Sequence, residues 1–115
     1  MKRFSYGARD DIFSVHLGFS ADEKFRTNIV AGDIILDLPT KNRIRGLEIL
    51  NAGQFFEEFG VDESMLNNLS DVELSAMQKL FGIAVRLVLK SSDKEVPIKF
   101  AVALEEPYIN PLPSL

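Results

Sequence analysis

A chain of 115 residues with 46% apolar side chains is long enough for one hydrophobic core, too short for two, and too apolar for disorder. Cysteine is absent, which excludes disulfides, thiolate metal ligands and thiol catalysis. The net charge of −4, with signs mixed along the chain, disfavours non-specific attraction to nucleic acid, where Lys and Arg are rewarded.

No apolar run approaches the roughly 20 residues of a membrane span. The N-terminus, MKRFSYGARDD, reaches Asp10 and Asp11 before any signal-like apolar segment. A soluble, cytoplasmic protein without membrane contact is therefore expected, as one domain over 1–115 whose residues 105–115 form an extended Pro-rich tail.

Phe4 to Tyr6 reads as a short strand broken by Gly7. From Ile12 to Leu17 the order IFSVHL puts Phe13, Val15 and Leu17 on one side and Ile12, Ser14 and His16 on the other, the period of a half-buried strand. Gly18 ends it, SADEKFR is polar and loop-like, and Phe25 to Val30 is a further candidate strand. Gly32-Asp33 signals a turn. The run Ile34, Ile35, Leu36 and Leu38 is continuous enough to predict a central strand covered on both faces, stopped by Pro39 for want of an amide hydrogen. Thr40 to Asn42 reverse the chain into Arg43–Leu50, making a hairpin the best local prediction.

Asn51 followed three positions later by Gln54 has the spacing of a capping box. Ala52, Phe55, Phe56 and Phe59 form a helical stripe with Gly60 as its stop, and Asp62 caps a second short helix with Met65, Leu66 and Leu69 turned inward. Residues 71–80 fit either a helix behind Ser70-x-x-Glu73 or a strand in which Val72, Leu74 and Ala76 alternate with polar positions; strand is preferred. IAVRLVLK and VPIKFAVAL, joined by SSDKE, are strands, with Pro97 marking an edge. The fold class is α+β: mainly antiparallel sheet, one or two short helices after the central hairpin, and a C-terminal β-hairpin or meander.

Two motifs now stand in order: Tyr6-x-x-x-x-Asp11-x-Phe13-x-Val15, then GDIILD followed by GLEILNA. Together they resemble the small prokaryotic family catalogued as domain of unknown function two-two-eight-three. On that resemblance Tyr6, Asp11, Asp37, Gly46, Glu48 and Asn51 occupy the family's motif positions, while Gly7, Ser14 and Asn51 depart from its usual residues. The resemblance covers about residues 4–52 and implies no established activity; some members are described as antitoxin-like from their gene neighbours.

Glu48 is the most informative single residue. It shares its strand face with Ile44, Gly46 and Leu50, so a carboxylate is expected among apolar neighbours, where it needs a donor, a metal or a raised pKa. Asp11, Asp37 and Glu48 lie near strand ends; convergence would suit a hard divalent cation or acid–base work, whereas turn capping explains them without chemistry. Tyr6, Asp11, Asp37 and Glu48 make up the candidate polar site. Lys41, Arg43 and Arg45 form a candidate basic patch at the hairpin turn, with Lys2, Arg3 and Arg9 near the start; solvated turn charges, docking to an acidic partner or, as a less favoured alternative, to nucleic acid would account for them. His16 is the only histidine and lacks a nucleophile elbow or further ligands, so no catalytic residue, metal site or cofactor is assigned.

Two functions are expected in this order. The first is a non-enzymatic protein-interaction module, as a homo-oligomer or the antitoxin-like partner of another small protein, because a β-rich domain must cover its edges. The second is a small metal-dependent or acid–base enzyme using Asp11, Asp37 and Glu48.

Overall fold

The computed structural model describes residues 3–18, 25–39 and 44–103. The elements in chain order are β1 (Phe4–Gly7), β2 (Ile12–His16), β3 (Phe25–Ala31), β4 (Ile34–Pro39), β5 (Gly46–Leu50), α1 (Ala52–Glu57), α2 (Glu63–Leu66), β6 (Asp71–Lys79), β7 (Gly82–Lys90) and β8 (Glu95–Ala103). They form a five-stranded sheet in the order β1-β2-β5-β4-β3 and a three-stranded sheet in the order β6-β7-β8, every pair antiparallel. The fold is α+β, and the C-terminal strands make a meander. The Pro-rich tail 105–115 lies outside the described residues.

Period-two patterning decides which face of the first sheet is dry. The β2–β5–β4 ladder aligns Phe13 with Ile49 and Ile34, and Val15 with Leu47 and Leu36. Phe13, Val15, Leu36, Leu47 and Ile49 are all buried. Each such side chain contributes about 1.5–3 kcal/mol relative to exposure. Ile83, Val85, Leu87 and Leu89 of β7, with Ile98 and Val102 of β8, join the same core cluster from the second sheet.

The β4–β5 hairpin is present, and β4 is an interior strand as expected, lying between β5 and β3, but it is not fully covered on both faces. The centre of the sheet is β5, flanked by β2 and β4. Among the β4 side chains described, Leu36 is fully buried and Ile35 on the opposite face is half-buried. An uninterrupted apolar run does not distinguish a strand covered on both faces from one whose outer face is only partly shielded. Pro39 is the last paired residue of β4, as its missing amide hydrogen requires.

Helix α1 forms on the predicted stripe: Ala52 and Phe56 are buried, and Phe55 and Phe59 pack against the core. Phe56 meets Phe13 edge-on with ring centroids 5.1 Å apart, and Phe55 meets Phe100 of β8 at 5.2 Å, so two aromatic rings of one short helix touch both sheets. Gly60, at φ 76°, turns the chain, with Val61 N–H donating to Phe56 O and Gly60 N–H to Glu57 O, the paired closing bonds of a Schellman motif. The capping box does not form: Asn51 is left-handed (φ 51°) and its side chain caps nothing. In α2 the expected cap is made, with the Asp62 carboxylate accepting from Met65 N–H at 2.9 Å.

Residues 71–79 are a strand. Val72 pairs with Leu89, Leu74 with Leu87 and Ala76 with Val85, so tertiary pairing overrides the local Ser70-x-x-Glu73 helix signal.

Candidate functional site

The turn between β1 and β2 is built around the Tyr6-x-x-x-x-Asp11 spacing. Asp11 N–H donates to Gly7 O at 2.7 Å, and Asp11 itself is left-handed (φ 56°), a region aspartate tolerates better than most residues. Its Oδ1 accepts from the Tyr6 hydroxyl at 2.8 Å and from Gly53 N–H at 2.8 Å. Its carbonyl accepts from Ala52 N–H at 3.0 Å. Asp11 therefore satisfies the amide donors at the start of α1 from a distant part of the chain, and this is why Asn51 is released from capping. A Cβ at residue 53 would sit 3.3 Å from Oδ1, close enough that the carboxylate would have to give by a few tenths of an ångström.

Burial, with the Asp11 hydrogen bond and the negative charges of Asp11 and Glu63, pushes the Tyr6 hydroxyl up to about 12. At neutral pH the phenol is a fixed hydrogen-bond donor. Tyr6 and Asp11 form a structural latch between the first hairpin and α1: the phenol is held by the carboxylate, and the carboxylate by the phenol and the Gly53 amide.

Glu48 and Asp37 lie elsewhere. Glu48 pairs laterally with Ser14 and Ile35, on the face of the sheet opposite Phe13, Leu47 and Ile49. It is half-buried, with Gly46 and Leu50 as same-face neighbours along β5. The core takes Leu47 and Ile49, and period two puts Glu48 on the opposite face, half-buried with Ile35 and Leu50 as apolar neighbours. Asp37 pairs with Gly46, and its carboxylate folds over that glycine, where any Cβ would collide with it. His16 is exposed and aligned with Gly46 from the other side, which puts it two strand spacings, roughly 10 Å, from Asp37.

Asp11 is thus committed to Tyr6 and Gly53, while Glu48 and Asp37 occupy successive rows of the outer face. Among the described residues no three His, Cys, Asp or Glu side chains come together to hold a metal ion. Lys41 and Arg43 of the candidate basic patch lie outside the described residues, as does Lys2. Arg45 is half-buried beside the first sheet, its N–H donating to Asp37 O and its carbonyl accepting from Leu17 N–H.

The second sheet holds a feature that sequence reading missed. The β6–β7 hairpin closes with Lys79 opposite Gly82, leaving Leu80 and Phe81 as its two-residue loop. Met77, Leu80 and Phe81 are 61%, 62% and 57% exposed. Such loops favour Asn-Gly or Gly-x at positive φ, yet neither Leu80 nor Phe81 has positive φ. Nothing in turn formation asks for two large apolar residues there. The available signal was an apolar pair at a position that turn chemistry reserves for small or polar residues.

No helix among the described residues is long and apolar enough to cross a membrane. No curated protein and no solved structure matches the chain. Residues 3–52, which build the five-stranded sheet and carry the chain through the Asp11 latch to the start of α1, match the family described as Protein of unknown function (DUF2283).

Proposed function

We propose that this protein is a non-enzymatic interaction module that docks onto another polypeptide through its β6–β7 hairpin. The observation that carries this reading is the clustering of Met77, Leu80 and Phe81, large and mostly exposed, at one hairpin end. Exposed apolar side chains scattered singly need no explanation, whereas a contiguous group is the usual mark of a contact surface. The hairpin lies outside the family match, so this surface is a property of the second sheet. The partner is either a second copy or another small protein, the latter in keeping with the antitoxin-like description of some family members.

Light scattering after size-exclusion chromatography tests the first case. A homo-oligomer gives a mass above 12.9 kDa that returns to that value on L80S/F81S substitution. If the wild type runs as a monomer, a photo-cross-linking residue at position 81 must trap a defined polypeptide in cells while one at exposed Ser5 does not. A monomer that yields no such adduct overturns the proposal.

A further inference from the structure

Strand β6 is an outer strand of its sheet, hydrogen-bonded to β7 on one side and to no strand on the other among the described residues. It is nine residues long and contains no proline. The opposite edge, β8, carries Pro97, which lacks the amide hydrogen that strand addition uses. Among the outer strands of the two sheets, β1 has four residues and β3 seven, so β6 is the longest proline-free edge described.

Two clefts flank the same stretch of this edge, on opposite faces of the sheet. On the inner side, Leu74, Ala76 and Gln78 face Leu17, which follows β2, and Ile44 and Arg45, which precede β5, across a space of about 460 Å³. Ala76 points inward by register and is nonetheless exposed, because it lies on the outer strand, whereas its β7 partner Val85 is buried in the shared core. On the outer side, a depression of about 700 Å³ is floored by Ala84 and Ala101 beside Met77 and is bordered by Lys79, Arg86 and Lys99. The two clefts share Ser75 and Ala76 and include four cations and no carboxylate, in a chain whose net charge is −4.

We infer that the β6 edge over Leu74–Lys79 accepts an extended, acidic segment of a partner polypeptide as an added strand. The inference rests on the interaction-module reading and names its partner chemistry and surface. Backbone groups of β6 supply the ladder, and because strand side chains alternate, one set enters the inner cleft and the other the outer. Apolar side chains fit beside Leu17, Ile44 and Leu74. Carboxylates fit beside Lys79, Arg86 and Lys99, which have no carboxylate partner among the described residues. The other cation of this face, Lys90, is already paired with Glu73 at the far end of the sheet.

The test uses the ¹⁵N-labelled full chain and a short synthetic peptide alternating valine and glutamate. Its amide shifts are expected to centre on Leu74–Lys79, to weaken with salt, and to vanish when lysine replaces glutamate in the peptide. R86E/K99E alters two exposed side chains, leaves the rest of the amide spectrum in place, and weakens the acidic peptide about ten-fold or more. Equal binding of the lysine peptide, or no shifts at millimolar peptide, overturns the inference. Shifts confined to Leu80 and Phe81 also overturn it, while leaving the docking role of the hairpin end intact. Concentration-dependent broadening of the Leu74–Lys79 amides without peptide assigns the edge to a second copy and overturns the acidic partner.

Discussion

Asp11 shows how one carboxylate can settle the geometry of a junction. It accepts from Tyr6 and Gly53 through one oxygen, and its loss leaves a phenol and a helix-start amide without their partner. D11A is expected to destabilise the protein by about 1–3 kcal/mol in urea unfolding, and D11N by less, since an amide oxygen still accepts. The latch also fixes an alkaline limit. The Tyr6 hydroxyl is raised from 10.0 to about 12 in the folded protein, so its contribution is complete below pH 10 and is lost as pH rises through 12. Y6F removes that component, and its stability is expected to fall less between those pH values than the wild type's. Gly46 is constrained differently, by the Asp37 carboxylate lying over it. G46A is expected to cost about 1–3 kcal/mol by overpacking. Adding D37A should recover part of that loss, a non-additivity measurable as a double-mutant cycle.

The elements differ in how fully local sequence determines them. Helix α1 has six residues, far below what is stable alone, and exists because Phe55 and Phe56 bridge the two sheets. F56A removes a fully buried ring and is expected to cost about 3–5 kcal/mol, read as a large drop in denaturation midpoint. The stripe of Ala52, Phe55, Phe56 and Phe59 and the Asp62 cap were legible because helical period and cap chemistry are local. The failed Asn51 cap was not, since the competing acceptor, Asp11, is 42 residues from Gly53. Strand β6 was ambiguous for a related reason: its helix and strand patterns are close to equal, and pairing with β7 decides between them.

At the scale of the molecule, the two sheets share a core but differ in what they leave uncovered. The first sheet buries Phe13, Val15, Leu36, Leu47 and Ile49 and presents Ser14, Glu48 and Ile35 on its outer face. The second leaves the end of its β6–β7 hairpin and the adjoining β6 edge exposed, although Ile83 and Val85 beside them on β7 are buried. Because Leu80 and Phe81 are mostly exposed, L80S/F81S is expected to change stability by no more than about 0.5 kcal/mol while abolishing association. Parallel unfolding and light-scattering measurements separate the two effects.

The sequence by itself determined the mixed α+β class, most of the strands, the first-hairpin motif and the resemblance over residues 4–52, because each is written in local periodicity or in residue spacing. Only the tertiary structure decided that Glu48 faces outward, that Asp11 caps a helix instead of joining Asp37, and that cations gather beside the β6 edge. Those facts depend on which strands become neighbours and on which strand is left at the edge of its sheet, and both are set by long-range pairing and packing.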